Sequence, residues 1–172
     1  METTREDRLT FAKHFERAQG WLLLGKCAKA ISALDQIPAA FQSFPAVYLL
    51  RAHVHMQARQ WKRAEPILRE LLAKDDTEAQ YWINLAFVVR RAKSMNEAEL
   101  ILQEARKRFP AVALIWFNLA CYAAQQTNLR AAHDLLTEAI RLEPTLKDQA
   151  KADPDLAPYW DGLMSGQISG TP

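Results

Sequence analysis

Apolar side chains in this chain recur at the spacing of a helix, and whole helical stretches then recur at a longer interval. The stretch YWINLAFVV begins at Tyr81, and IWFNLACYA begins at Ile115, thirty-four residues later. The two stretches align Trp82 with Trp116. Apolar residues that return every three or four positions indicate an amphipathic helix, whereas a half-buried strand would alternate. The sequence therefore predicts the same helix at two places.

Columns of apolar residues carry this interval through four copies without an insertion. Three of them are uniform: Ala18, Ala52, Ala86 and Ala120; Ala30, Ala64, Ala98 and Ala132; Leu34, Leu68, Leu102 and Leu136. A fourth is apolar but mixed: Cys27, Trp61, Met95 and Leu129. Internal repetition at such a period is a signature of stacked helical repeats, in which each helix pair buries its apolar face against its neighbour.

Each copy divides into two helices, and local signals indicate where they begin and end. A Ser or Thr three residues before an acidic or amide residue is the pattern of a capping box, and it predicts helix starts after Thr77, Ser94 and Thr145. Pro110 and Pro144 are expected to end the second helices of their copies, because proline cannot continue a helix.

Two further prolines depart from the repeat. Pro38 is expected to end the second helix of the first copy early, which leaves residues 39–44 as a longer connection. Pro66 falls inside the second helix of the second copy, where we expect a tolerated kink.

The third and fourth copies carry a complete motif: Trp82, Leu85, Ala86, Ala98, Leu102 and Pro110, then Trp116, Leu119, Ala120, Ala132, Leu136 and Pro144. On these residues the chain resembles the tetratricopeptide repeat family over roughly residues 11–146. The first two copies are degenerate, with other residues at the Trp, Leu and Pro positions: His14 and Tyr48, Arg17 and Arg51, Gln42 and Asp76.

The resemblance implies an all-α fold, a right-handed helical-repeat solenoid of about four antiparallel helix pairs plus a C-terminal capping helix. We expect the repeat domain over residues 1–154, with repeats at about 11–44, 45–78, 79–112 and 113–146 and the cap at 146–154. Residues 155–172 are expected to form a C-terminal extension that is partly disordered.

The extension begins with the apolar segment DLAPYW, residues 155–160. Pro154 and Pro158 are expected to hold it extended, since proline disfavours helix at the preceding residue. In that geometry Leu156, Tyr159 and Trp160 would seal the last repeat. A disordered tail and a contact with a neighbouring molecule are the two alternatives.

Charge and composition narrow the function. A net charge of +2 does not favour nucleic acid or an anionic membrane as the partner. No apolar run approaches the roughly 20 residues of a membrane span, and the first residues lack an apolar secretory core. Cys27 and Cys121 lie far apart and are expected to be free thiols. We therefore expect a cytoplasmic protein.

Residue clusters that would support catalysis or metal binding are not recognisable in the sequence. His53 and His55 would point about 200° apart on one helix, so they cannot share a metal. Cys121 has no histidine or basic residue at helical spacing beside it, which favours an ordinary free thiol. We expect no catalytic residues, no metal and no cofactor, and an enzyme is the least favoured class.

The resemblance also implies a concave groove lined by the first helices of the repeats. The family's groove positions fall here on Leu49, His53, Met56, Ile83, Asn84, Phe87, Arg90, Arg91, Phe117, Asn118, Cys121 and Gln125. Asn84 and Asn118 occupy a position at which family members hold a peptide backbone. Ile83 and Phe117 could equally be core residues, and Arg90 and Arg91 could be a solvated face.

The leading hypothesis is a non-catalytic adaptor or scaffold that binds a protein or peptide in this groove. Its apolar residues, edged by Arg90 and Arg91, favour an apolar segment with acidic flanks. The family's clamp for acidic chaperone termini is excluded, because the Lys and Asn positions of that clamp are largely apolar here. The alternatives are a homodimer, formed through the groove or the Phe41–Phe44 loop, and a secretion-type chaperone.

Overall fold

The computed structural model describes residues 3–168, and within them the chain forms ten α-helices and two short 3-10 turns, with no strand. The chain divides into two compact units, Met1–Lys93 and Ser94–Pro172, which we describe separately. Eight of the helices follow one another as the four pairs that the sequence predicts. The predicted all-α helical-repeat fold is therefore confirmed.

The first unit contains five α-helices. They are α1 (Arg5–Leu23), α2 (Cys27–Asp35), α3 (Pro45–Gln57), α4 (Trp61–Lys74) and α5 (Ala79–Ala92), with a 3-10 turn (Ala39–Phe41) between α2 and α3. Each helix packs against the next one in the chain. This serial packing is typical of repeats that bury their apolar faces against their neighbours.

The second unit contains the other five. They are α6 (Met95–Arg108), α7 (Ala113–Gln125), α8 (Leu129–Leu142), α9 (Leu146–Ala152) and α10 (Ala157–Met164), with a 3-10 turn (Pro154–Leu156) before α10. α7 packs against α6 and α8, and both the 3-10 turn and α10 return to pack on α7. The chain after Pro144 is therefore part of this unit.

The predicted columns form the core. All twelve members of the three uniform columns are at most 1% exposed. Alanine at these positions lets helices approach closely, so a larger side chain at Ala98 would overpack the core. The mixed column is half-buried and has a different role, because each of its members is the first residue of the second helix of its pair: Cys27, Trp61, Met95 and Leu129.

The turn inside three of the four pairs contains a residue in the left-handed region, two positions before the second helix. These residues are Gly25, Arg59 and Thr127, with φ of 69°, 54° and 59°. The equivalent residue of the third pair, Lys93, has φ −134°. Arg59 and Thr127 thus adopt a conformation that favours glycine.

The predicted helix starts have mixed outcomes. Ser94 caps α6 as predicted, since its Oγ accepts from the Glu97 N–H at 3.2 Å. The prediction for Thr77 is wrong: its N–H and hydroxyl both donate to Asp75 Oδ1, and α5 begins at Ala79. α9 begins directly after Thr145 as predicted, but the Thr145 side chain makes no capping bond, and its hydroxyl donates to Glu143 Oε1.

The prolines act largely as predicted. α6 and α8 end two residues before Pro110 and Pro144, and α2 ends three residues before Pro38. Pro66 lies in the second turn of α4, which continues without a break from Trp61 to Lys74. Its side chain is exposed. The helix therefore tolerates Pro66 without ending or starting later.

Two residues that replace motif residues, Gln42 and Arg51, stabilise the connection between α2 and α3. Gln42 donates from Nε2 to the carbonyls of Leu34 and Ile37, at 2.8 and 2.9 Å. Arg51 donates to Gln42 Oε1 at 3.2 Å and to Asp35 Oδ1 at 2.7 Å. Gln42 and Arg51 therefore supply donors to the C-terminal end of α2. The motif would have a proline in place of Gln42 and a leucine in place of Arg51, and neither side chain could donate.

The two tryptophans of the complete copies share a structural role. The Trp82 indole N–H donates to the Asp76 carbonyl at 3.3 Å, and the Trp116 indole N–H donates to the Pro110 carbonyl at 2.8 Å. In both cases the acceptor lies six residues upstream. Each indole thus ties a first helix to the connection that precedes it.

The segment DLAPYW is helical, so the expectation of an extended segment is wrong. The backbone of Asp153 is extended before Pro154, but Ala157 before Pro158 is helical, with φ −52° and ψ −45°. Leu156 and Tyr159 are nevertheless fully buried, as the sealing hypothesis expects, and Trp160 is half-buried. The expected disorder falls partly on residues 169–172, which lie outside the described residues.

Candidate functional site

Eight of the predicted groove residues lie in the first unit. Leu49, His53 and Met56 on α3 are half-buried and share one face of the helix, because they are spaced four and three residues apart. On α5, Ile83 and Asn84 are buried, Arg90 is half-buried, and Phe87 and Arg91 are exposed. Asn84, Phe87 and Arg91 share one face of α5 by the same spacing.

A hydrogen-bonded chain joins these two helices. Asn84 donates from Nδ2 to His53 Nε2 at 3.1 Å, and Gln80 donates from Nε2 to Asn84 Oδ1 at 2.9 Å. Burial lowers the pKa of His53, which favours the neutral imidazole that can accept from Asn84. Both ends of the Asn84 amide are therefore engaged within the unit. We call the surface around this chain the α3–α5 surface, defined by Leu49, His53, Met56, Phe87, Arg90 and Arg91.

Aromatic and cationic groups stack at one end of the α3–α5 surface. The Arg91 guanidinium carbon lies 3.5 Å from the centre of the Phe87 ring and 5.5 Å from that of Trp61. The Phe87 and Trp61 rings meet edge to face, with their centres 5.8 Å apart. The Phe87 side chain, 38% exposed, is held in place by these contacts.

A cavity of about 380 Å3 opens beside this stack. We call it the basic pocket; its walls include Arg59, Gln60, Trp61, Lys62, Arg63 and Arg91. Of these six residues, the sequence predicted only Arg91 as a site residue. The run RQWKR, residues 59–63, could have signalled the others, because it places three cations around one tryptophan.

The four predicted groove residues of the second unit lie on α7. Phe117 and Cys121 are 2% and 3% exposed, so they are core side chains in this structure. Asn118, half-buried, donates from Nδ2 to the Leu114 carbonyl of its own helix at 2.9 Å. Gln125 is exposed and donates from Nε2 to the Asp155 carbonyl at 2.9 Å. Its amide therefore binds the C-terminal segment of its own unit.

Ile83, at 8% exposure, is a core side chain of the first unit. For Ile83 and Phe117, the alternative that they are core residues fits the observed burial. The structure brings together Leu49, His53 and Met56 with Asn84 and the exposed end of α5 through the His53–Asn84 bond. Of these, the half-buried α3 residues and the exposed end of α5 are accessible together with the basic pocket, whereas Asn84 is buried.

Within residues 3–168, no three His, Cys, Asp or Glu side chains lie close enough to hold a metal ion together. Cys27 and Cys121 are both free thiols. Among the described helices, none combines the length and the apolar character needed to cross a membrane.

Comparisons with known proteins give a family match over part of the chain and a fold for most of it. Residues 22–86 match the model of the tetratricopeptide repeat. No curated protein matches the sequence. Among solved structures, the chain is similar to the segment 41-end of MamA from Desulfovibrio magneticus RS-1, with 16% identity, a TM-score of 0.68, and 77% of this chain and 75% of that chain covered.

Two other solved structures share the fold. YrrB, described as a TPR protein with an unusual peptide-binding site, is 16% identical with a TM-score of 0.67, over 81% of this chain and 73% of that chain. An O-GlcNAc transferase mutant from Thermobaculum terrenum is 21% identical with a TM-score of 0.69, over 81% of this chain but 27% of that chain. At these identities the similarity establishes the fold alone.

Proposed function

The chain has the helical-repeat fold of tetratricopeptide repeat proteins, and from this premise we propose that it is a non-catalytic adaptor that binds a segment of a partner protein. The binding site is the α3–α5 surface. The partner segment is apolar, with acidic residues on its flanks. The compartment is the reducing cytoplasm, in keeping with the two free cysteines.

One observation carries this proposal: the exposed Phe87 ring is held by Arg91 and Trp61, on the face of α5 whose Asn84 bonds to His53 of α3. Because the ring is already fixed by its neighbours, little side-chain entropy is lost when a partner packs on it. A well-packed aromatic residue of this kind is typical of an interaction hot spot. Arg90 and Arg91 place positive charge beside it, which suits acidic flanks.

The similar solved structures support an interaction role in general terms. YrrB is described as having a peptide-binding site. The transferase is matched over 27% of its length, so that similarity does not transfer its activity to this chain. The proposal of no catalysis follows from the sequence, in which no catalytic motif is recognisable.

The second candidate is self-association. Its loop version uses residues 41–44, where Phe41 is buried and stacks on Phe11 with ring centres 4.8 Å apart. Phe44 packs edge-on against Phe41 at 5.1 Å and keeps 42% of its surface exposed. Both rings already contribute to the first unit, so we favour the adaptor.

The proposal is tested with a fluorescent peptide library in which an apolar core, randomised among leucine, isoleucine, phenylalanine and tryptophan, is flanked by glutamines. We expect saturable binding by anisotropy, and a loss of about tenfold or more on Phe87→Glu, because a carboxylate then replaces the apolar contact. Leu9→Glu is the matched control, since Leu9 is 64% exposed on α1. Equal losses for the two variants, or no binding, would contradict the proposal.

A further inference from the structure

The basic pocket carries four cations on its walls, Arg59, Lys62, Arg63 and Arg91, and none of the described wall residues is acidic. The elements that meet there are the α3–α4 turn, the first turn of α4 and the last turn of α5. Arg59 reaches this position through its left-handed backbone, φ 54°. Like charges gathered around one cavity repel each other, and that repulsion is relieved when an anion enters.

Ion pairs elsewhere in the first unit make this arrangement unusual. Arg51 pairs with Asp35, and Lys74 pairs with Glu70. Glu65, which follows the pocket in sequence, is committed to Arg69 and Lys93, both at 2.8 Å. By contrast, the described part of the chain provides no carboxylate partner for the side chains of Arg59, Lys62 and Arg63.

The Glu65 carboxylate stays ionised and bound to its own partners. Burial raises the pKa of Glu65, but hydrogen bonds from Lys93 and Arg69 outweigh that effect and lower it overall. A carboxylate that is already paired twice does not neutralise the pocket. The positive charge of Arg59, Lys62 and Arg63 is therefore available to a ligand.

We propose that the basic pocket binds the carboxylates of an acidic stretch in the partner segment, directly beside the apolar residues that contact Phe87. This inference rests on the proposed function and identifies the site that binds the acidic flank. Guanidinium groups bind carboxylates with paired hydrogen bonds. The adjoining Trp61 and Phe87 rings suit an apolar residue next to those carboxylates.

A peptide fits these features better than a nucleic acid does. The whole chain has a net charge of +2, so the positive charge of the pocket is local and does not extend as a nucleic-acid surface would. Several cations spread around a cavity of about 380 Å3 match a few consecutive acidic side chains. An acidic stretch also explains why the cations lie next to the aromatic rings.

The test compares two libraries with the same randomised apolar core, one flanked by three glutamates and one by three glutamines. Affinity is measured by anisotropy on the full chain at low and at physiological salt. Several partly exposed charge pairs together change affinity by about tenfold. We therefore expect the glutamate library to bind about tenfold more tightly, and the difference to shrink as salt rises.

The variant is Lys62→Glu with Arg63→Glu, and it should bind both libraries equally. It is expected to fold, because both positions are in the first turn of α4, where carboxylates favour the helix dipole. Lys62→Glu alone should lose part of the preference. Arg130→Glu is its matched control, since Arg130 occupies the same position in α8, and it should keep the preference.

The outcomes separate this inference from the proposed function. If the variant removes the glutamate preference and Arg130→Glu keeps it, the acidic site is supported. If the double variant prefers the glutamate library as strongly as the wild type does, the basic pocket is not the acidic site. The proposal that the α3–α5 surface binds the apolar segment is then unaffected. If neither library binds, the proposed function fails together with this inference.

Discussion

Thr127 has an unfavourable backbone conformation in a position that a glycine would fit. It lies in the turn before α8 with φ 59°, and a β-branched residue is strained in the left-handed region. We expect Thr127→Gly to raise the free energy of unfolding by about 0.5–1 kcal/mol, because the relieved strain exceeds the added flexibility of glycine in the unfolded chain. Urea denaturation followed by circular dichroism measures the change.

Gly25 provides the opposite substitution at the equivalent turn. Its φ is 69°, and a methyl group added there would lie 3.9 Å from its nearest heavy atom, the side-chain nitrogen of Gln57. Gly25→Ala should therefore destabilise the chain by about 1 kcal/mol through the backbone alone. A stabilising Gly25→Ala, or a destabilising Thr127→Gly, would show that these turns are not strained in the way we infer.

His53 should make stability depend on pH below neutrality. Burial lowers the pKa of His53 below its ordinary value of 6.5. Between the lowered value and 6.5 the unfolded chain binds more protons than the folded chain, so the free energy of unfolding rises with pH. This contribution is complete above pH 6.5 and is lost as the pH falls through the lowered pKa.

His53→Gln removes the titrating ring and keeps an oxygen that can accept from Asn84. Thermal melts at pH 7.5 and pH 5 should show a smaller loss of stability on acidification in the variant than in the wild type. Paired carboxylates such as Glu65, whose pKa is also lowered, titrate in both proteins and cancel in the comparison. Identical pH slopes would mean that protonation of His53 does not cost folding energy.

At the scale of elements, the C-terminal segment should stabilise the second unit. Tyr159 is fully buried, and its hydroxyl forms a 2.9 Å hydrogen bond with His133 Nδ1 on α8. Burial raises the pKa of Tyr159 to about 12, so the phenol stays protonated at neutral pH. Tyr159→Ala should cost about 3–5 kcal/mol of unfolding free energy, because it leaves a large cavity.

Tyr159→Phe separates packing from hydrogen bonding. It keeps the ring and loses the bond to His133, so we expect a cost of about 1 kcal/mol in the same denaturation experiment. Truncation after Asp153 should destabilise at least as much as Tyr159→Ala. If truncation leaves stability unchanged, the segment packs on α7 and α8 without contributing to the fold.

The core could be predicted from the sequence, because a fixed interval forces the same residues to the same depth in every copy. Ala98 and Leu102 are buried for the same reason as Ala132 and Leu136, because they occupy the same positions in successive copies. Helix starts were less predictable, because neighbouring side chains compete for the same hydroxyl, as Asp75 does for that of Thr77. Such competition depends on local geometry that a sequence pattern does not contain.

The candidate site was predictable only in part. Phe87 and Arg91 followed from the family's groove positions, but Cys121, which is equivalent to Phe87 in the next copy, is buried. The basic pocket depends on the N-terminal end of α4 lying beside the C-terminal end of α5. Sequence spacing within one helix does not predict that proximity, so Arg59, Lys62 and Arg63 became functional candidates only in the structure.

At the scale of the whole molecule, the accessible chemistry of the two units differs. In the first unit the predicted binding positions include Phe87 and Arg91, which are exposed and lie at the basic pocket. In the second unit Phe117 and Cys121 are core residues and Gln125 holds the C-terminal segment. On the proposed function partner recognition belongs to the first unit, so we expect substitution of Gln125, the exposed residue of α7, to leave peptide binding unchanged.

The exposed large apolar residues also bear on self-association. They are Leu9, Leu23, Leu24, Phe44, Phe87, Leu100 and Met164. Single exposed apolar residues are normal on soluble monomers, and among these Phe87 is the one that packs against Trp61 and Arg91 of the basic pocket. The cations of the basic pocket would repel the basic pocket of a second copy in a symmetric dimer. The arrangement therefore favours a foreign acidic partner over a symmetric dimer.

We accordingly expect light scattering to report the mass of a single chain at micromolar concentration, at both low and high salt. Salt is informative, because screening would weaken the repulsion between two basic surfaces and would reveal a dimer held by apolar contacts. If a dimer is found, Phe87→Glu decides where it forms. Recovery of the monomer would mean that the α3–α5 surface binds a second copy and that the adaptor proposal is wrong. A dimer that survives Phe87→Glu but not Phe44→Glu would place the contact at the Phe41–Phe44 loop and leave the α3–α5 surface for a partner.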